Sequence, residues 1–444
     1  MRVVFTPWPT PSHLNPMVPL AWALQSAGHE VCVAAHPALA DAVAAVGLTG
    51  VSLGTADSAP ALMGPGRPTP PETRARLDET GLALGPFSPA EQNLWDVFCQ
   101  FMLPPIWDFH PVGATASDAL PVVDEFVDFC RAWKPDLVVW DACFPAAAIG
   151  ARVSGAAHAR LHWGLDYFAW VLDRVGTNWN PLAETVRPAA ERHGVEVDRD
   201  LLLGQWTIDP LPAGMRLPVA TRTVPMRWIP YSGQTAVPDW LHAPQDRPRV
   251  ALSLGQSRRL VMKGGWDHVP GLLEMVSELD VDVVATLNET QLAGVREVPG
   301  NVRVVDYVPL NQLLPTCAAL IHHGGVGTFS AAAGLRVPQL ILDSGGDEGL
   351  LAEGEAGTEW ALAAKDIESS DTAAWVVGQG AGLTLDFARH SIDVMRKRVM
   401  RVVEDPSFAE GAHRLRLDAA AAPSPGELVP VLAQLVEQQR AGAR

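Results

Sequence analysis

A chain of 444 residues is too long for one hydrophobic core of ordinary size and is expected to divide into two domains of about 200 residues each. With 48% hydrophobic and 19% charged residues it has a globular balance, and no apolar run approaches the ~20 residues that span a bilayer. The 33 basic against 50 acidic residues leave a net charge of −17, which excludes a nucleic-acid partner held by phosphate attraction and leaves any anionic ligand to local donors.

Residues 2–6 and 31–35 are short apolar runs separated by an apolar segment, 17–27, that closes on Gly28. Strand, helix and strand within so short a span make a βαβ unit and imply a parallel sheet. Because the chain opens directly on a strand, no secretion signal is expected and a cytoplasmic location follows. The first turn lacks Gly-x-Gly-x-x-Gly, which argues against a dinucleotide site. It carries instead Pro9-Thr-Pro-Ser-His13-Leu-Asn-Pro16, with Asn15 as expected N-cap and Pro16 as first helical residue. Taken alone, a loop histidine such as His13 is more often an incidental surface or hydrogen-bonding residue.

Residues 54–105 are rich in Pro, Gly and Ala and read as long loops, apart from a helix over 91–101. Trp95, Phe98, Phe101, Trp107 and Phe109 suit either an apolar pocket or core packing. An amphipathic helix over 122–133 precedes the apolar strand 137–140, which ends in Asp141. Ligands of doubly wound sheets lie outside the carboxyl ends of the strands, so His13 and Asp141 fall on one edge, where a carboxylate can orient an imidazole. Asp141 as the N-cap of the next element is the alternative. A helix over 146–153 and a strand over 157–161 lead to His162-Trp163-Gly-Leu-Asp166 at a strand end, and the Trp-bearing residues 167–216 read as a mobile lid.

Proline-punctuated segments follow, and a second sheet starts at 249–255. Strands over 281–287 and 302–307 continue the α/β alternation. Residues 318–321 form a buried strand ending in His322-His323-Gly-Gly-Val-Gly-Thr328, with a helix starting near Thr328. Free N–H groups and a helix dipole aimed into a glycine-rich turn suit a phosphate, and adjacent imidazoles add donors. The glycines alone would equally serve a tight strand-to-helix connection. Residues 366–373 read as a polar loop, and 428–439 as a terminal amphipathic helix. The five cysteines are scattered without Cys-x-x-Cys spacing, which points to neither a disulfide framework nor a zinc site.

The run His322-His-Gly-Gly-Val-Gly-Thr328 with Val337-Pro-Gln-Leu-Ile-Leu342 resembles the nucleotide-diphosphate motif of family-one glycosyltransferases, specifically the actinobacterial enzymes that decorate macrolides, anthracyclines and related polyketides. Ser12-His-Leu, Val18-Pro-Leu-Ala-Trp-Ala-Leu24, Ala27-Gly-His-Glu-Val31, Pro135-Asp-Leu-Val-Val-Trp-Asp141 and Gly380-Ala-Gly-Leu383 extend the resemblance over nearly the whole length, towards the auxiliary-dependent subgroup.

The resemblance implies an α/β, GT-B fold: two Rossmann-like doubly wound parallel-sheet domains facing across a cleft. Residues 1–225 would bind the acceptor, 226–245 would link, 246–423 would bind the nucleotide sugar, and 424–444 would return to the first domain. It implies His13 as general base with Asp141 as its partner. It also implies donor contacts from Gly255, Ser257, Val308, His323, Gly325, Gly327 and Thr328, and sugar contacts from Asp347 and Glu348. An acceptor site formed by Trp95, Phe98, Phe101 and Trp163 completes the set. Where the wider family has Asp-Gln this chain has Asp347-Glu348, and the added charge suggests a deoxy- or amino-deoxyhexose, with a solvated acidic loop as the equal alternative.

The implied activity is inverting transfer, without metal or cofactor, from a nucleoside-diphosphate sugar to a hydrophobic polyketide-type aglycone. A haem-monooxygenase-like activator is the implied protein partner. A homodimer stays open, and neither nucleic acid nor membrane insertion is expected. A sugar-nucleotide epimerase of GT-B architecture and a non-catalytic homologue are the alternatives.

Overall fold

The computed structural model describes residues 1–58, 69–176, 179–233, 235–256, 259, 266–342, 368–387 and 389–442. Ser257, Asp347 and Glu348 lie outside the described residues. The chain forms two compact units: 1–211, 216–227 and 423–444 in the first, 212–215 and 228–422 in the second. The residues expected as a linker therefore separate, with Met226 and Arg227 in the first unit and the rest grouped in the second.

The first unit holds a seven-stranded sheet built from β1 (Arg2–Thr6), β2 (Glu30–Ala35), β3 (Thr49–Ser52), β4 (Leu137–Asp141), β5 (Ala157–Leu161), β6 (Trp206–Asp209) and β7 (Thr223–Pro225). Their order is β3-β2-β1-β4-β5-β6-β7 and every pairing is parallel. β4 is buried along its whole length, as a strand covered on both faces must be. The helix Pro121–Trp133 enters on a proline, buries Val122, Val123, Phe126, Val127 and Cys130, and stops at Lys134, whose φ of 53° is left-handed. Pro135 follows and directs the chain into β4. The terminal helix Pro425–Gly442 packs on the helix Val18–Ser26 and on β5, within this same unit.

The second unit repeats the plan with six strands: β8 (Arg249–Ser253), β9 (Asp282–Thr286), β10 (Val302–Val305), β11 (Ala319–His322), β12 (Gln339–Leu342) and β13 (Gly382–Leu385), all parallel in the order β10-β9-β8-β11-β12-β13. Side chains alternate between faces. Val250 and Leu252 of β8, Val283 and Ala285 of β9, and Ala319 and Ile321 of β11 fill one cluster, while Ala251, Val284 and Leu320 fill another on the opposite face.

Four expected elements differ. His13 lies in a one-turn helix, Pro11–Leu14; Asn15 caps its carboxyl end, and Val18–Ser26 begins after Met17 with Pro19 in its first turn. Pro11 presets the helical φ and so draws the turn forward. Residues 54–105, expected as loops apart from a helix over 91–101, contain a further helix, Pro71–Ala83, and the expected one runs Pro89–Val97, opened by a Ser88–Glu91 capping box. Where a mobile lid was expected over 167–216, the described residues form the packed helices Tyr167–Val175, Pro181–Arg192 and Arg199–Leu203, and Trp170 and Trp206 are buried. Finally, a helix over Ser369–Gly378 occupies most of the expected polar loop.

Among the described residues, no helix is long and apolar enough to cross a membrane. The described cysteines are free thiols, and burial pushes Cys32 up to about 12 and Cys130 well above its ordinary value.

Two stability effects follow. A Cβ on Gly382 of β13 would stand 1.9 Å from the carbonyl oxygen of Gln339 on β12, a backbone atom that moves only if the strands part. Gly382→Ala therefore lowers stability by about 2 kcal/mol, against the slight gain that Gly→Ala gives at an open strand position, as a urea midpoint will register. Burial holds His110 down to about 4 and His158 and His322 down to about 3, in each case as the dominant cause. The unfolded chain takes up these protons first, near pH 6.5, so the stability they lend at pH 7 is lost as pH falls towards the folded values. At pH 5 each imidazole costs about 2 kcal/mol, and the thermal midpoint falls between pH 7 and 5. In His110→Phe the fall is smaller; a midpoint flat across this range contradicts the assignment.

Candidate active site

In each sheet the strand order reverses once, between β1 and β4 in the first and between β8 and β11 in the second. Chains leaving the carboxyl ends of two such strands diverge to opposite faces and leave an opening between them, where α/β proteins hold ligands. Both openings are lined by residues that the sequence singles out.

In the first unit, Thr6 at the end of β1 pairs with Trp140 of β4, so the turn bearing His13 meets Asp141. His13 Nδ1 is 2.7 Å from Asp141 Oδ2. The Asp141 side chain is fully buried, whereas the His13 side chain keeps 15% of its exposure, enough to leave an edge of the ring accessible. Oδ1 of Asp141 accepts the backbone N–H of Cys143 at 2.8 Å. Asp141 caps no helix, since Ala146–Ser154 starts from Pro145. The carboxylate accepts from Nδ1, which leaves Nε2 as the basic nitrogen of the neutral ring.

His13, Asp141 and Cys143 offer three donor atoms within 4.8 Å of one another. Burial, with Asp141 beside it, pushes the Cys143 thiol well above its ordinary value. A metal needs the thiolate, so this trio suits a hydrogen-bonded dyad better than an ion.

In the second unit, His322 of β11 pairs with Ser253 of β8, which brings the Gly255 turn beside the His322–Gly325 turn. Gly255 has φ of +77° and lies under the His323 ring: a Cβ there would be 2.5 Å from its Cε1. The His322 Nε2 to Gln339 Oε1 distance is 2.9 Å and Gly324 N–H donates to His322 Nδ1 at 3.2 Å, a pattern that assigns the proton to Nε2. Burial, then the neighbouring His323, keeps this imidazole neutral, with Gln339 opposing. His322 thus shapes the turn and His323 is the imidazole beside Gly255.

The helix after the turn is Val326–Gly334, with Gly325 at its N-cap and no side chain closing it. It starts two residues earlier than expected, so Gly327 and Thr328 lie inside its first turn, and Thr328 N–H is directed to Gly325 O at 3.1 Å. Val308 follows β10 with its side chain buried in the second core cluster.

Sequence reasoning missed one feature. At Gly324, φ +91°, a Cβ would fall 2.4 Å from Cβ of Ser369, so the head of the helix Ser369–Gly378 abuts the same turn. Ser369 Oγ is buried and has no hydrogen-bond partner among the described residues. Ser369-Ser-Asp-Thr372, small hydroxyl residues with an acid in the first turn, was the available signal for a helix start.

The aromatics expected to bind the acceptor fare unevenly. Trp95 and Phe98 are buried, 6.1 Å apart by ring centroid, and Phe98 meets Phe168 edge-on at 6.0 Å. In this structure they are core, because the helix Pro89–Val97 and the π-turn Phe98–Met102 turn them inward. Phe101 is half-buried. Trp163 is half-buried and stands 4.5 Å from the His13 ring.

Comparison with known proteins identifies the family. The N- and C-terminal domain profiles of the family described as erythromycin biosynthesis protein CIII-like match residues 22–69 with 109–255, and 271–375. The aclacinomycin-T 2-deoxy-L-fucose transferase of Streptomyces galilaeus is 39% identical over 99% of this chain and 97% of its own. The 10-deoxymethynolide desosaminyltransferase of Streptomyces venezuelae is 38% identical over 99% and 98%. Among solved structures, spinosyn forosaminyltransferase SpnP matches with a TM-score of 0.75 and 34% identity, covering 98% of this chain and 99% of its own. Glycosyltransferase VinC, solved with dTDP, matches at 0.74 and 31%, covering 99% and 100%. With two Rossmann-like parallel sheets and these relatives over its whole length, the chain belongs to the erythromycin biosynthesis protein CIII-like family of GT-B antibiotic glycosyltransferases and is an enzyme that transfers sugars.

Proposed function

We propose that the chain is an inverting transferase that moves a deoxy- or amino-deoxyhexose from thymidine diphosphate to a hydroxyl of a hydrophobic polyketide-type aglycone. The 2.7 Å pair of His13 with a fully buried Asp141 carries this reading, since it leaves Nε2 of an oriented imidazole to act as base. The donor class is supported by relatives named for deoxysugar transfer and by VinC bound to dTDP.

In this mechanism Nε2 of His13 takes the acceptor proton as the acceptor oxygen attacks the anomeric carbon. The bond from that carbon to the diphosphate oxygen breaks with its electron pair, and the nucleoside diphosphate leaves. Asp141 stabilises the imidazolium that forms. Gly255, His323, the N–H groups at Gly325 and Gly327, and the Thr328 hydroxyl receive the diphosphate charge, with Ser369 Oγ as a further donor. Ser257, Asp347 and Glu348 are proposed to complete the donor site, and backbone groups near Val308 to hold the base. The donor set consists of fixed dipoles, so no metal is required, and a single displacement inverts the anomeric carbon. The first unit is assigned to the acceptor, the second to the donor, and a haem-monooxygenase-like activator to the first.

The test is a mass-spectrometric screen of dTDP- and UDP-deoxysugars against polyketide aglycones, with and without such an activator. Transfer is expected from dTDP donors, with the product's anomeric proton coupling showing inversion. In the productive pair, His13→Gln lowers kcat by about 10²–10⁴-fold while dTDP binding, read by calorimetry, is unchanged. Full turnover in His13→Gln, or an epimerised sugar nucleotide formed without acceptor, overturns the proposal.

A further inference from the structure

Asp141 has more donors than a proton-accepting dyad needs. Besides His13 and the Cys143 N–H, its Oδ1 receives the indole Nε1–H of Trp163 across a long contact of 3.4 Å. The same indole lies 4.5 Å from the His13 ring, centroid to centroid, tilted by 53°, and a second indole, Trp8, lies 5.4 Å away at 49°. Trp163 thus touches both members of the dyad, one through its N–H and the other through its ring.

The loop that presents Trp163 is pinned independently of the dyad. Arg160, fully buried on β5, reaches forward to Asp166 with two contacts, 3.1 and 2.6 Å, and to Thr207 Oγ1 on β6 at 3.0 Å. Asp166 also caps the next helix through Ala169 N–H at 2.9 Å, and His162 N–H donates to Ile208 O at 2.9 Å. Burial pushes the Asp166 carboxyl up, but Arg160 and His162 beside it pull it further down, to a net value well below the usual carboxylate range. Removing one partner of a buried pair costs far more than the intact pair contributes, so this arrangement fixes residues 162–166 in place. Pinned at both ends, the loop delivers one aromatic side chain to the dyad.

We propose that Trp163 is a positioning residue for His13 and Asp141, holding the carboxylate by its N–H and bracing the imidazole by its ring. The expectation that it serves as an acceptor wall is replaced by this role. An indole within about 6 Å of a ring that becomes imidazolium also favours the charged form as the proton arrives. The kinetic consequence rests on the transferase reading; the structural one does not.

The test has two arms. Long-range ¹H–¹⁵N correlation spectra of histidine-labelled protein at one pH report the tautomer of His13, its signal assigned from His13→Gln. The wild type shows the proton on Nδ1. In Trp163→Leu, which lacks both ring and N–H, a measurable fraction moves to Nε2; Trp163→Phe, which keeps a ring, lies between. With a productive substrate pair, Trp163→Leu lowers kcat by about 10–100-fold while the acceptor KM changes less than about threefold, and Trp163→Phe recovers part of the loss. An unchanged tautomer in Trp163→Leu, with the loss confined to acceptor KM, overturns the proposal in favour of an acceptor wall. Should Trp163→Leu fail to fold by circular dichroism, the tautomer in Trp163→Phe decides alone: a shift supports the proposal and none overturns it. If no donor and acceptor pair gives product, the transferase reading fails separately, and the tautomer arm still decides the role of Trp163.

Discussion

An imidazole keeps one tautomer only when one of its nitrogens is held, and for His13 the holder is a carboxylate with no solvent exposure. The first sheet exists in the right form for that contact. Parallel pairing of β1 with β4 brings the chain ends together in register, Thr6 against Trp140, so that a turn after one strand and the last residue of the other meet within 2.7 Å. A slip of one residue would send Asp141 to the other face of the sheet. Full burial of β4 makes such a slip costly, because every one of its side chains has a place in the core.

The second unit answers a different electrostatic problem with the same topology. The chain carries −17, so an anionic ligand gains nothing from the long-range field. What the second sheet supplies at its own point of reversal is short-range: glycines at +77° and +91°, an uncapped helix start at Gly325, and one imidazole beside the turn. Within that turn the two histidines divide the work. His322, kept neutral by burial and tied to Gln339, accepts the N–H of Gly324 and so fixes its left-handed conformation. His323 is left to face the Gly255 turn, where absence of a side chain is what makes room for the ring.

The parts of this arrangement that were legible in the sequence share one property: each is a local pattern with a single physical outcome. Apolar runs pointed to strands such as Arg2–Thr6, Leu137–Asp141 and Ala319–His322, and Ala157–Leu161, apolar at alternate positions, agrees to the residue. Asp141 at a strand end and glycines after another marked the two turns that lie where the sheets reverse. Three parts were not legible. The placement of His13 in a helical turn depended on Pro11, against the competing signal of Asn15-Pro16. The aromatics Trp95 and Phe98 had no periodicity to show which way they faced, and packing against Phe168 and Phe87 decided it. The head of the helix Ser369–Gly378 became significant only because Gly324 lies against it, a contact between residues 45 positions apart that no window along the chain contains.

Trp163 shows why such long-range contacts matter most near the chemistry. Composition marks it as one of 15 tryptophans, and its neighbours in sequence carry no motif. Its place comes from Arg160, a guanidinium buried in a strand, which is a poor choice for stability unless something else is gained. An apolar residue at 160 would fill the same space, but it would leave Asp166 without its guanidinium partner and the loop between them less firmly held. The buried charge therefore makes sense as a means of fixing a loop rather than of strengthening a core. Once the loop is fixed, an indole N–H can stand at Asp141 and an indole ring at His13 without further help. The strand that ends next to β4 thereby reaches the imidazole that follows β1, through one side chain, across the point where the sheet reverses.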